Sequence, residues 1–525
     1  MPQAPVNSLD MLFKPELAKQ GVELDIKVFN DFIQPNLQLA QKNLDANYYQ
    51  YRPFLTEFNK TRHTDLVPVV GVHIEPFGAY SRRFDSLDAV PAGADVVIPN
   101  DPSNNSRALI LLHNSGVITL RSDVEALASL PAGTIVTVIE KNPVYVRPYG
   151  SSEVLNQHAS MDDLNVSHDT LKSRYGIRFV FDTVTGFDPV ARTVSTAGQQ
   201  KIAYDKLIVS PGIQLQYNAY AGYTEQVART AVPSGWIPGE QTALLAKQLQ
   251  GMRQGGTFVL AAPPNPYRCP PGPYERAALM TEWFAKHNPT AKVIIVDPKD
   301  SFVTDETMML GWNRLYNFNL PGDYVKKMSA EVEVKQHAGT SMLSWVRGQD
   351  GGRTLKIDAK QMRIETEAET IQADVINVIP PMKAGQVAMT LGLADSSGFC
   401  PVNRRTFAST LQPNVYVIGD ASIADAMPKS GFSANTQAKV VARAIVEELA
   451  GRTAPEPLWE NTCYALAGKD YGLFVADVFK IVDGKIARIN GKGRYLPLNA
   501  TPAQIKLGAR YQQAWLRTFT ADCFA

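Results

Sequence analysis

The 525-residue chain is 45% hydrophobic and 20% charged, with a formal net charge of +1. It is long enough for several domains, and it lacks the charge excess that draws a protein to nucleic acid or an anionic surface. No apolar run approaches the roughly 20 residues that span a bilayer. The first residues, "MPQAPVNSLDMLFKPEL", lack the charged-then-apolar pattern of a secretion leader, so a cytoplasmic location or a leader outside this chain is expected. Four cysteines, none in C-x-x-C spacing, are too few for a disulfide scaffold and make a zinc site unexpected.

In chain order, residues 1–121 hold Asn-, Gln- and Tyr-rich helical stretches ("QPNLQLAQKNLDANYYQYRPFLTEF") and short strands such as "LVPVVGVHI" and "ADVVIPN". From 130 to 450, apolar strands alternate with helices, the pattern of parallel sheets in doubly wound layers. The expected strands are "TIVTVIE", "KLIVSP", "TFVLAA", "KVIIVD", "DVINVIP" and "VYVIGD". In the aromatic-rich residues 451–525, "WENTCYALAGKDYGLFVADVFKI" reads as a helix followed by a hairpin.

Three strand ends carry candidate chemistry. "GTIVTVIEKN" closes on Glu140 and Lys141, where a dinucleotide site places an acid on the adenosine ribose; an ordinary strand ending in Glu is the alternative. "KLIVSPGI" runs into Pro211 and Gly212, a turn that lets backbone approach a ligand, or a plain strand exit. "NVYVIGDASIADAMPKSGFSANTQAKV" is the most specific. A strand ends in Gly419–Asp420, and a loop with Lys429, Ser430 and Gly431 opens a long helix. Asp420 is placed to accept from ribityl or ribose hydroxyls, and the helix N-terminus offers unpaired N–H groups to an electron-rich ring carbonyl. Together these point to an FAD site.

The loop "NPYRCPPGPYERAALM" stands after "TFVLAA", where a nicotinamide-binding unit would have glycines; here it holds four prolines and Cys269. Prolines lack N–H donors, so this unit is expected not to bind NAD(P)H. Glu275 just inside the following helix is read first as a solvated N-terminal acid and second as a proton shuttle.

"YRCPPGPYERA", "ADVINVIPPMKAGQVA", "GFCPVNRRTF", "VIGDASIADAMPKSGFSANTQAKV" and "NTCYALAGKDYG" are carried from about residue 132 onward. On these the chain resembles the flavin subunit of flavocytochrome c sulfide dehydrogenase. The resemblance implies two glutathione-reductase-like dinucleotide-type domains and a small α+β C-terminal domain. It also implies FAD, oxidation of sulfide or hydrosulfide, a c-type cytochrome subunit as partner and a periplasmic location. In that family the cysteines at Cys269 and Cys400 form a redox-active disulfide beside the flavin. Such a disulfide can be opened by hydrosulfide to a persulfide and a thiolate, with the flavin as two-electron sink. Arg268 would favour an anionic substrate. Some members attach FAD through a cysteine where Pro148 stands here, so FAD is expected to be non-covalent.

No G-x-G-x-x-G precedes Glu140. Instead "LDIKVFNDFIQPNLQLAQKNLDANYYQYRPFL" and "VHIEPFGAYSRRFDSLDAVPAGADVVIPNDPSNNSRALILLHNSGVITL" resemble the methionine-binding lipoproteins of ABC importers. On that resemblance Tyr49, Tyr80, Asn104 and Arg107 match ligand-gripping positions, while Tyr51 replaces a histidine. The expected organisation is a partial solute-binding-protein-like α/β segment (1–121), a first FAD-domain part (122–218), a second nucleotide-type domain with Cys269 (219–383), a second FAD-domain part (384–450) and a C-terminal domain (451–525). A methionine-type binding protein and a non-catalytic fusion remnant are the alternative functions.

Overall fold

The structure is a computed structural model that describes residues 14–27, 34–47, 50, 52–69, 130, 133–489 and 494–524. The chain divides into two compact units, Met1–Glu125 and Ala126–Ala525. In the first, the described residues form helices α1 (Lys14–Ala18), α2 (Gln34–Ala40) and α3 (Arg52–Arg62). The helical stretches read from Gln34 onward include α2 and α3. Between them, Asn47 and Gln50 bond back to buried Asn36 of α2, which exchanges side-chain hydrogen bonds with Gln50 (2.7 and 2.6 Å) and accepts from Asn47 at 2.8 Å. Residues 66–69 of the expected strand "LVPVVGVHI" form no strand; its remainder and "ADVVIPN" lie outside the described residues.

The second unit is mixed α/β. Strand β1 (Thr137–Ile139) pairs in parallel with β2 (Arg178–Val180), and β3 (Leu207–Val209) follows a three-stranded antiparallel sheet built from Val184–Asp188, Thr193–Thr196 and Lys201–Ala203. A four-stranded parallel sheet comes next: β4 (Thr257–Ala261), β5 (Lys292–Val296), β6 (Leu343–Val346) and β7 (Val375–Val378), in spatial order β6-β5-β4-β7. Its central strand is buried on both faces, as a parallel strand with both sides covered must be. Phe258 and Leu260 join one apolar cluster, and Val259 and Ala261 join the other. The first cluster includes the helix α4 (Gly272–His287). The second includes Ile357 and Ile364 of an antiparallel sheet built from Thr354–Asp358, Arg363–Thr366 and Thr370–Gln372.

Strand β8 (Val415–Val417) then returns to pair in parallel with β3, Val417 opposite Val209, and feeds α5 (Gly431–Leu449). All six strands read from the sequence are present. Among the described residues no strand joins the β1–β2 pair to the β3–β8 pair, and Ile135 beside β1 is 77% exposed.

One element is corrected. Residues Trp459–Gly468 are strand β9, not a helix, and pair antiparallel with β10 (Tyr471–Val482), Cys463 opposite Val475. Alternation explains it: Asn461, Cys463 and Ala465 share one face of the strand. The pairing overrides the helix-forming Ala and Leu of "YALAG". The C-terminal helix α6 (Pro502–Phe524) was not read from the sequence. Among the described residues no helix is long and apolar enough to cross a membrane.

Candidate active site

The site is built where β4, β8 and β9 deliver their loops to the N-termini of α4 and α5. The Cys269 loop follows β4 and is pinned by arginines. Arg276, fully buried, donates to the carbonyls of Ser234 and Gly235 (both 3.0 Å) and to Asn377 Oδ1 at 2.9 Å, with its guanidinium 5.0 Å from the Trp236 ring centroid. Arg268 donates to the Trp236 carbonyl, and Tyr267 Oη donates to Pro270 O at 2.7 Å. Cys269 itself has φ +59°, a left-handed backbone that a non-glycine residue holds only where the surroundings impose it. What imposes it is the neighbouring loop: the Cys269 N–H donates to Lys429 O at 2.8 Å.

Cys400 is fully buried and bridges in parallel to Ser422, its N–H bonded to Ala421 O and its carbonyl to the Ile423 N–H, both at 2.9 Å. Lys429 Nζ donates to Asp420 O (2.7 Å) and Ser422 O (3.0 Å) and stands 3.9 Å from the Phe399 ring centroid. One lysine therefore touches the strand-end turn beside Cys400 with its side chain and Cys269 with its main chain. All four cysteines are free thiols in this structure. Burial pushes the Cys400 thiol up to about 12, the Lys429 charge opposing it. Burial raises the Cys269 thiol further, and Cys463 and Glu275 add to it. Burial also brings Lys429 down to about 8 against the pull of Asp420 and Cys400.

Gly419 has φ +73° and donates its N–H to Gln437 Oε1 at 2.7 Å, which turns the chain so that Asp420 faces inward. Asp420 is buried and its Oδ1 has no partner; burial raises its carboxyl despite Arg268 and Lys429. Ser430 caps α5, accepting from the Ser433 N–H at 3.0 Å and donating to Asn461 Oδ1 at 2.6 Å. Gly431 follows as the first helical residue, with Phe519 of α6 3.4 Å from where a Cβ would stand. Gly212 has φ +62° and its carbonyl accepts from the Gly385 N–H at 2.9 Å, while Pro211 lies against Gly385. Glu140 instead makes local contacts: its Oε1 accepts from Asn142 N (2.9 Å) and Nδ2 (3.1 Å), and Lys141 is exposed.

Glu275 is not a solvated acid. It is half-buried, and its Oε1 accepts the Leu466 N–H of β9 at 2.8 Å. Burial lifts its carboxyl from 4.5 to about 8. Cys463, left unassigned by sequence, lies on the β9 face beside Asn461 and donates to Asn461 Oδ1 at 3.4 Å.

These residues fit one half of a flavin dinucleotide. The orphaned Asp420 carboxylate oxygen, the positive-φ turn before it and the N-terminus of α5 suit a ribityl chain and ring. The phosphate half has no matching cradle among the described residues. Glu140 is turned onto Asn142, and the sequence supplies no G-x-G-x-x-G. The sheet that carries the Cys269 loop also has its strand-end acid engaged. Asp297, at the ribose-type position after β5, is fully buried and accepts from Tyr274 Oη (2.5 Å), Trp345 Nε1 (3.0 Å) and Lys299 Nζ (2.7 Å). The Gly272 N–H is bonded to Cys269 O at 2.9 Å. Tyr49, Tyr51, Tyr80, Asn104 and Arg107, and the junction 122–129, lie outside the described residues.

The larger unit has the mixed α/β fold found among oxidoreductases of known structure. It is shared with the sulfide:quinone oxidoreductase of Aquifex aeolicus, at 17% identity and a TM-score of 0.55 over 76% of this chain and 89% of that one. Within this class, residues 242–380 match the central model of the sulfide dehydrogenase (flavocytochrome c) flavoprotein chain, and residues 455–524 match the flavin-binding model of flavocytochrome c sulphide dehydrogenase. Residues 2–143 match the NlpA lipoprotein model. The D-methionine-binding lipoprotein MetQ of Escherichia coli K12 is 32% identical over 157 residues, 30% of this chain and 55% of that protein. MetQ of Bacillus subtilis is 39% identical over 132 residues, 25% of this chain and 46% of its own length. The chain thus spans about half the length of the curated relatives it matches.

Proposed function

We propose that the larger unit is a flavin-dependent sulfide oxidoreductase that works through Cys269 and Cys400 and hands electrons to a c-type cytochrome in the periplasm. The observation that supports this is the shared lysine: Lys429 binds the Cys269 main chain through its carbonyl and, through its ammonium, the carbonyls of Ser422 beside Cys400 and of Asp420, whose side-chain Oδ1 is unpartnered. Asp420, Lys429, Ser430 and Gly431 would hold the ring and ribityl chain of a non-covalent FAD, with Pro211 and Gly212 at the strand exit and Glu140 and Lys141 toward the adenosine end. When bound, the flavin supplies a two-electron acceptor.

In the oxidised protein Cys269 and Cys400 are joined, and hydrosulfide attacks Cys269. One S–S bond forms as the other breaks; Cys269 carries the persulfide and Cys400 departs as thiolate. The direction follows from charge, since the sulfur with the lower pKa leaves faster and only Cys400 has the Lys429 ammonium as its largest charge partner. Glu275, neutral up to about pH 8, stands near Cys269 to exchange the proton. NAD(P)H is excluded as donor by the proline loop and by Asp297, whose acceptor capacity is taken by Tyr274, Trp345 and Lys299.

The domain organisation that goes with this reading is an FAD domain in two parts (122–218 and 384–450), a second nucleotide-type domain (219–383) and a C-terminal domain (451–525), after a solute-binding-like segment (1–121). Purified protein titrated with FAD and then sulfide tests the reading. Sulfide-dependent reduction of cytochrome c, lost in Cys400→Ser with flavin binding retained, is the expected result. Unchanged turnover in Cys400→Ser removes the thiol pair from the mechanism.

A further inference from the structure

The C-terminal hairpin brings a third sulfur to the same place. Cys463 sits on the β9 face that also presents Asn461 and Ala465, and β9 is held against both helix N-termini of the site. Leu466 N–H binds Glu275 in the first turn of α4, and Asn461 Oδ1 binds Ser430, the cap of α5, at 2.6 Å. Ser430 is next in sequence to Lys429, whose carbonyl holds the Cys269 N–H at 2.8 Å. Cys269 and Cys463 are thus separated by a short run of direct contacts; burial holds both toward the neutral thiol, and Cys463 adds to the effect at Cys269.

A second feature points to a ligand. Asn461 is 1% exposed; its Oδ1 takes Ser430, Ser433 (3.2 Å) and the Cys463 thiol, yet its Nδ2 has no partner. A buried amide donor without an acceptor is costly unless something fills it. Beside a thiol, the acceptor that fits is a second, anionic sulfur.

We propose that Cys463 is a sulfane-sulfur acceptor: it takes the outer sulfur of a Cys269 persulfide and holds it against Asn461 Nδ2. This rests on the sulfide reading above. The transfer balances without an oxidant. The Cys463 sulfur attacks the outer sulfur of Cys269–S–SH, the new S–S bond forms at Cys463, and the old one breaks at Cys269. The Cys463 thiol proton ends on the released Cys269 sulfur. The products are a Cys463 persulfide and a free Cys269 thiol, ready to pair again with Cys400 when two electrons are withdrawn. Asn461 acts as a positioning residue, its free N–H matched to the persulfide's negative end.

The test uses the full chain, oxidised and then treated with sodium hydrosulfide, with persulfides trapped by alkylation and located by peptide mass spectrometry. In the wild type, the extra sulfur is expected first on Cys269 and then on Cys463. In Cys463→Ser it stays on Cys269 and persists at least tenfold longer; in Cys269→Ser none reaches Cys463. Asn461→Leu, which leaves both thiols in place, slows transfer while Cys269 still loads. Persulfide on Cys269 that never moves to Cys463 overturns the proposal, as does loading of Cys463 in Cys269→Ser at the wild-type rate. Absence of any persulfide on Cys269 instead sinks the sulfide reading beneath it. Cys463→Ala serves as a second variant should the serine destabilise the hairpin, and the wild-type time course stands by itself.

Discussion

The Cys269 N–H is bonded to the carbonyl of Lys429, 160 positions further along the chain, at 2.8 Å, and this bond ties the thiol loop after β4 to the entrance of helix α5. It fixes Cys269 in a left-handed conformation and places the Lys429 ammonium, on the same residue, against the turn that flanks Cys400. The chemistry assigned to the site depends on that junction staying closed.

Asp420→Asn separates binding from folding. The buried Asp420 Oδ1 is unpartnered and its carboxyl is raised by burial, so the amide removes a cost from the empty protein. Thermal unfolding without ligand is expected to shift up by a few degrees. Flavin affinity, read by fluorescence quenching, falls about tenfold, the loss of about 1.4 kcal/mol expected when a charged acceptor is replaced by a neutral one.

Flavin length is expected to matter little. With Glu140 engaged by Asn142 and no glycine phosphate loop in the sequence, the adenosine half of FAD gains few partners. Equilibrium titration should give affinities for FMN and FAD within about tenfold of each other. A preference for FAD above about a hundredfold would mean that a phosphate cradle exists elsewhere in the chain.

Glu275 makes stability depend on pH. Its carboxyl titrates near 8 in the fold against 4.5 when free, so its contribution is complete below pH 4.5 and is lost as pH rises toward 8. Glu275→Gln keeps the acceptor for the Leu466 N–H and removes the titration. Denaturant midpoints should show the variant gaining on the wild type by on the order of 1–3 kcal/mol at pH 8 and by little at pH 4.5.

Asp297→Ala leaves the Lys299 ammonium buried without its charge partner, alongside unpaired Tyr274 and Trp345 donors. Loss of one partner of a buried pair costs about 3–5 kcal/mol, which calorimetry will register as a large drop in Tm. Neither the variant nor the wild type is expected to show flavin reduction by NADH in stopped flow.

Much of this was legible in the sequence, and the exceptions have physical causes. Strands such as "TFVLAA" are apolar throughout because both faces are buried, and such runs announce themselves. The edge strand Leu343–Val346, four residues long with exposed Ser344, does not. "NTCYALAG" reads as helix locally, and only its partner strand from Tyr471 makes it a strand. Glu275 looked solvated because the amide that buries it comes from Leu466, 191 residues downstream. Cys463 drew no reading because Asn461 and Ser430, which define its place, meet only in the fold. By contrast, Gly419, Asp420 and Ser430 carried their roles in local chemistry: a turn glycine, an acid at a strand end and a helix cap.

The central claim is that Cys269 and Cys400 share one bond in the working protein. Disulfide mapping of the oxidised full-length chain by non-reducing peptide mass spectrometry tests it directly. A single linked peptide pair joining Cys269 to Cys400, opened by sulfide, is the expected result. Oxidised protein in which both cysteines remain open to alkylation, or are each bonded elsewhere, would contradict it.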